Sequence, residues 1–103
     1  MRAFRPARRI HGEYFSLACA PNAGGLKWTV VVSKKVSLKA TERNRVKRRC
    51  RESLQKQLKG SDVCITLVFQ AKPPAKTASF SAIRDDLTSL LERASPRGTM
   101  ART

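Results

Sequence analysis

The sequence predicts an α+β domain in which helices cover one side of a small sheet. Three observations carry this. Two short apolar runs bounded by glycine and proline come first; a long segment free of both residues follows; a third apolar run and a closing amphipathic stretch complete the chain. The order is strand, strand, helix, strand, helix, which fits a two-layer sandwich. At 103 residues, 41% of them hydrophobic, the chain suits one domain with a small core. That domain is expected over residues 1–94, with residues 95–103 (SPRGTMART) as a short polar tail.

Residues 1–9 (MRAFRPARR) are basic, and Pro6 keeps a long helix from running through them. They read as the last turn of a helix or a loose arm, with Phe4 as an apolar anchor. Residues 14–20 (YFSLACA) read as a strand between Gly12 and Pro21. The turn signal PNAGG separates them from residues 26–33 (LKWTVVVS), a second strand rich in β-branched side chains. The short connection suggests that the two pair as a hairpin.

A helix is expected to begin near Ala40 or Thr41, with Thr41 and Asn44 as local caps and Glu42 favoured by the helix dipole. No glycine or proline interrupts it before Lys59. Val46, Cys50, Leu54 and Leu58 recur every fourth residue and form an apolar stripe. On the same wheel Asn44, Arg48, Arg51 and Gln55 share one flank, and Arg45, Arg49 and Lys56 lie on the far side. Gly60 stands where a left-handed terminal residue is expected. Residues 62–70 (DVCITLVFQ) read as a central strand, because both faces are partly apolar. Residues 71–78 read as a loop around Pro73-Pro74. Ser79 or Ser81 then caps a last helix over residues 80–93. Ile83, Leu87, Leu90 and Leu91 are its buried stripe, and Asp85 and Asp86 are helix N-terminal charges in its early turns.

Charge narrows the function. The formal net charge is +15 and the pI about 11.2. From Lys39 to Lys59 nine cations (Lys39, Arg43, Arg45, Lys47, Arg48, Arg49, Arg51, Lys56, Lys59) face only Glu42 and Glu52. Such repulsion in one segment points to a polyanionic partner. A membrane is a poor fit, since no apolar run approaches the ~18–20 residues of a spanning helix. Cys19, Cys50 and Cys64 form no CxxC pair, and the lone His11 is near none of them. Buried free thiols in a reducing cytosol are expected rather than a zinc site. The seven acidic residues are scattered, His11 has no triad partner nearby, and Gly24-Gly25 lacks a GK[ST] continuation. The chain does not read as a self-sufficient enzyme. Phosphate recognition remains, by arginine forks and lysine point charges. With six aromatic residues in all, backbone and shape recognition are favoured over extensive base readout.

The stretch VVVSKKVSLKATERNRVKRRCRE resembles the signature of the bacterial ribonuclease P protein subunit. A strand ends in Val32-Ser33-Lys34-Lys35, Arg43-Asn44-Arg45 follows a short linker, and the helix continues as Val46-Lys47-Arg48-Arg49-Cys50-Arg51-Glu52. The resemblance implies a ribosomal-protein-like sandwich whose small mixed sheet holds a strand–helix–strand unit that crosses over left-handed, against the usual rule. It implies that Arg43, Asn44, Arg45, Lys47, Arg48 and Arg51 contact the catalytic ribonuclease P RNA. It further implies that the open sheet face and a first helix form a cleft for the single-stranded 5′ leader of precursor tRNA. Phe4 and Phe15 would serve that cleft, and Ser33, Lys34 and Lys35 would lie near its end. The chemistry is then endonucleolytic removal of the leader by the RNA, with Mg2+ held by the holoenzyme RNA and no metal or catalytic residue assigned to the protein. The setting is cytoplasmic, and the protein is expected to be a monomer with no obligate protein partner. The chain begins where the family's first helix should end, so either the start lies inside a longer frame or the leader cleft is reduced. Composition alone leaves open a structural or ribosomal RNA-binding protein, or a DNA binder placing the basic helix in a major groove.

Overall fold

The computed structural model describes residues 8–61 and 64–94. Phe4, the rest of the basic arm through residue 7, Asp62 and Val63 at the expected start of the third strand, and the tail from residue 95 lie outside the described residues. The elements are strands β1 (Arg8–His11), β2 (Phe15–Pro21) and β3 (Lys27–Val31), helix α1 (Ala40–Gln57), strand β4 (Ile65–Ala71), a 3-10 turn (Pro73–Thr77) and helix α2 (Phe80–Ala94). This is the α+β architecture expected, with both helices packed on one side of the sheet.

The sheet order is β1-β2-β4-β3. β2 and β3 therefore do not form the expected hairpin. β4 lies between them, antiparallel to β2 and parallel to β3. Pro21 pairs with Ile65, and Lys27 pairs with Thr66. The turn residues thus bridge across the start of β4, a span of two strand spacings, or ~10 Å. Asn22 fixes the bridge: its backbone N–H donates to Cys64 O (3.2 Å), its amide donates to Thr66 Oγ1 (2.7 Å), and its Oδ1 accepts from Gly24 N (2.7 Å). The parallel pairing of β3 with β4 across α1 forms the β–α–β unit.

Arg8 and Arg9 belong to a strand, not to a helix end or an arm. β1 pairs antiparallel with β2, from Arg8 opposite Cys19 to His11 opposite Ser16. Ile10 is its one buried side chain, too weak a pattern to announce a strand from sequence.

Alternation along the strands sorts the two faces. Phe15, Leu17 and Cys19 of β2, Val30 of β3 and Leu67 and Phe69 of β4 are buried beneath the helices. Val46, Cys50, Leu54 and Leu58 meet them from α1 and its C-cap, and Ile83, Leu87, Leu90 and Leu91 from α2. Both predicted stripes form the core. The thiols of Cys19 and Cys50 are buried as expected, but Cys64 is exposed, because it lies in the connection just before β4 rather than within the strand.

Local signals differ in detail. Neither Thr41 nor Asn44 caps α1. Its N-cap is Lys39, which makes no side-chain cap bond, and both expected caps fall within the helix. Gly60 adopts φ +80°, the left-handed conformation anticipated for it. Ser79 Oγ accepts the N–H of Ala82 at 3.1 Å and so caps α2. Arg8 closes the other end of that helix, donating to the carbonyls of Ala94 (3.1 Å) and Arg93 (3.0 Å).

Candidate nucleic-acid interface

Helix α1 turns its apolar stripe to the core, and this fixes where its cations go. Asn44, Lys47, Arg48, Arg51, Glu52 and Gln55 line one open groove of about 570 Å³. The flank drawn on the helical wheel is therefore a real surface, and it extends ~16 Å along the axis at 1.5 Å per residue. Among the described residues the ion pairs are Lys76–Glu42 (3.7 Å) and Arg84–Asp85 (3.3 Å). Neither draws on this groove, so Lys47, Arg48 and Arg51 are engaged in no ion pair among the described residues.

The other predicted contacts separate. Arg45 is exposed on the solvent side. Arg43 is half-buried, and its Nη1 donates to Ser37 O (3.0 Å) and Leu38 O (3.1 Å). The first arginine of the RNR triplet thus holds the preceding loop. Arg49 Nη1 donates to Ala78 O at 3.1 Å and ties α1 to the start of α2. Ser33 is half-buried, and its hydroxyl accepts from Lys35 N at 3.3 Å; Lys34 and Lys35 are exposed beside it.

Glu42 has a structural task. It accepts the hydroxyl proton of the buried Ser37, whose Oγ in turn accepts from Lys39 N at 3.1 Å. That hydroxyl bond, then the nearby Lys76, Lys39 and Arg45, hold the Glu42 carboxyl below its ordinary value, against a smaller opposing effect of burial. Burial pushes the Cys50 thiol up to about 12 and raises that of Cys19, with Arg51 and Arg8 respectively opposing.

Among the described residues, the sheet's other face is left uncovered. Arg9, His11, Ser16, Ala18, Val68 and Gln70 line a groove there of about 180 Å³. Phe15 is not on it: fully buried, it lies on the helix side with Leu17. Its assignment to a leader cleft is corrected accordingly, since an even step along β2 separates it from Leu17 and an odd one from Ser16. Phe4 lies outside the described residues. Sequence reasoning missed Arg9 and His11, which reach this face only because β1 is a strand. Among the described residues, no group of three or more His, Cys, Asp or Glu side chains is placed to hold a metal ion, and no helix is long and apolar enough to cross a membrane.

A mixed sheet with both helices on one face, and a helix whose cationic flank makes no ion pair among the described residues, define a small basic α+β domain. The family described as Ribonuclease P matches it over residues 1–95. The chain belongs to the ribonuclease P protein family. It is 38% identical over 95 residues to the ribonuclease P protein component of Azoarcus sp. strain BH72, covering 88% of this chain and 74% of that one. It is 40% identical over 93 residues to the corresponding component of Thermus oshimai, covering 89% of this chain and 58% of the relative. The RNase P protein of Thermotoga maritima superposes with a TM-score of 0.74 at 25% identity, over 84% of this chain and 82% of that one. That of Staphylococcus aureus reaches 0.78 over 92% and 84% of the two chains; at 23% identity this likeness concerns the fold.

Proposed function

We propose that this chain acts as the protein component of ribonuclease P, assisting a catalytic RNA in removing the 5′ leader from precursor tRNA. The observation that carries the reading is the α1 groove. Asn44, Lys47, Arg48 and Arg51 stand side by side, unclaimed by ion pairs among the described residues, on the helix that bears the RNR triplet. Guanidinium forks suit phosphate oxygens, and a rigid helix presents them without a large ordering cost.

The division of labour follows from the side chains. The RNA and its magnesium ions perform the hydrolysis. The protein screens phosphate repulsion where RNA strands converge, and so lowers the magnesium concentration that the complex requires. The leader lies along the open sheet face, where Arg9 supplies charge and Ser16 and Gln70 supply hydrogen-bonding groups. The cytoplasm is the matching compartment, and the protein enters the complex as a monomer.

Reconstitution with a bacterial ribonuclease P RNA at low magnesium tests this. Added protein is expected to raise the rate of precursor tRNA cleavage severalfold. An unchanged rate at low and high magnesium alike would refute the role.

A further inference from the structure

The loop before α1, residues 36–39, ends the SKK stretch. Among the described residues two large hydrophobic side chains are exposed, Val31 at 41% and Leu38 at 83%. A scattered exposed leucine is ordinary. Leu38 differs in how its backbone is held. Val36 N donates to Ser33 O (3.0 Å) on one side of it, and Lys39 N donates to Ser37 Oγ (3.1 Å) on the other. Ser37 is itself buried and bonded to Glu42. Arg43 Nη1 donates to the carbonyls of both Ser37 and Leu38. The segment is fixed at nearly every position, and its apex is a bare isobutyl group.

The surroundings indicate what covers it. Lys34, Lys35 and Lys39 are exposed close by in sequence, and the nearby carboxylate, Glu42, is taken up by Ser37 and Lys76. An apolar tip with exposed lysines at neighbouring positions along the chain matches a nucleic-acid strand whose phosphates pair with the lysines while an unstacked base or ribose lies against the leucine. A lipid surface or an acidic protein would answer the charge, but the single rigid apolar tip suits the small flat face of one nucleotide.

We infer that Leu38 is a nucleotide-contacting residue, and that Arg43 is a positioning residue that holds it out rather than a phosphate ligand. This rests on the ribonuclease P reading above. Arg43 acts through the loop, with its Nη1 already directed to the carbonyls of Ser37 and Leu38.

Binding to a bacterial ribonuclease P RNA is measured over a salt series for Leu38→Ala, Leu38→Gln, Leu38→Met, Lys39→Gln, Arg43→Lys and Arg43→Gln. Leu38→Ala and Leu38→Gln should each bind about tenfold more weakly, equivalent to about 1.4 kcal/mol. Their log–log salt slope and melting temperature should be unchanged, because no cation and no core contact is lost. Leu38→Met should recover affinity to within about twofold. Lys39→Gln should lower the slope by about 0.7 to 0.9, the contribution of one phosphate contact. Arg43→Lys keeps the charge but loses the fork. It should behave like Leu38→Ala and speed amide exchange at Lys39, and Arg43→Gln should leave the slope as Arg43→Lys does. Wild-type affinity in both Leu38→Ala and Leu38→Gln overturns the contact. Loss of self-association in place of RNA affinity also overturns it. A slope lowered by Arg43→Gln but not by Arg43→Lys returns Arg43 to the phosphate ligands. If the wild-type chain does not bind the RNA, the ribonuclease P reading fails, and this inference falls with it.

Discussion

Gly12 passes so close to Asp86 that a Cβ built on it would stand 2.7 Å from both carboxylate oxygens. The contact exists because Asp86 reaches from α2 into the β1–β2 turn. It accepts the backbone N–H groups of Glu13 (2.9 Å), Tyr14 (3.0 Å) and Phe15 (3.0 Å). One carboxylate thus satisfies three consecutive donors that no strand partner takes. Lys72 Nζ and Arg93 Nη2 complete the junction by donating to the carbonyls of Gly12 (2.7 Å) and His11 (2.9 Å).

Asp86→Ala should therefore destabilise the fold without touching the basic groove. Bonds to a charged acceptor contribute about 1.5–3 kcal/mol each, and the partial exposure of this site reduces their sum. A loss of about 3 kcal/mol is expected in urea unfolding. Gly12→Ala should cost about 1–3 kcal/mol through steric displacement of the carboxylate. The double variant should cost less than the sum, since the clash disappears with Asp86. Additive losses would mean that the close approach has no energetic consequence.

The role of Asp86 also shows where sequence reading stops. Adjacent Asp85 and Asp86 look alike as early-turn charges of an amphipathic helix. Only the tertiary path of the β1–β2 turn distinguishes them: Asp85 meets Arg84 in solvent, while Asp86 organises a turn more than seventy positions away. The same limit explains the missed hairpin. The turn signal PNAGG was correct as a turn, but no local pattern states that β4 will enter between the strands it joins. What periodicity does carry came through. The stripe of Val46, Cys50 and Leu54 is buried, and the flank of Asn44, Arg48, Arg51 and Gln55 is one surface. Phe15 shows the boundary between these cases. Its strand was legible, but which face the helices cover was not.

Two neighbouring arginines should give opposite phenotypes. Arg48 faces the open groove, whereas Arg49 donates to Ala78 O. Arg48→Ala should weaken binding to ribonuclease P RNA and lower the salt slope by about 0.7–0.9, with stability within about 0.5 kcal/mol of wild type. Arg49→Ala should cost about 1 kcal/mol in stability through its lost bond. Its salt slope should match that of the wild type. Binding and unfolding measured on the same preparations separate the two roles.

Acid should loosen the N-terminus of α1 through Glu42. Its carboxyl is held below the ordinary value of 4.5, chiefly by the Ser37 hydroxyl. A depressed carboxyl stabilises the fold fully above the unfolded-state value, and the effect fades as pH falls below about 4.5. Ser37→Ala removes the leading cause. Its deficit in stability against wild type should therefore be larger at pH 7 than at pH 3. A deficit independent of pH would mean that the hydroxyl does not favour the charged carboxylate.

The three thiols should divide into one fast and two slow. Cys64 is exposed, while Cys19 and Cys50 are buried. Under native conditions an alkylating reagent should modify Cys64 within minutes, and the other two only at the rate of unfolding. Alkali supplies an independent check. Burial pushes the Cys50 thiol from 9.0 to about 12, so between these values the unfolded chain loses a proton that the folded chain keeps. The unfolded state then binds fewer protons, and stability must fall as pH rises through this window. Cys50→Val removes the titrating group while keeping a compact apolar side chain in the site. Its stability should decline less steeply than that of the wild type above pH 9. Equal slopes would place the Cys50 thiolate in a setting as well solvated as that of the unfolded chain.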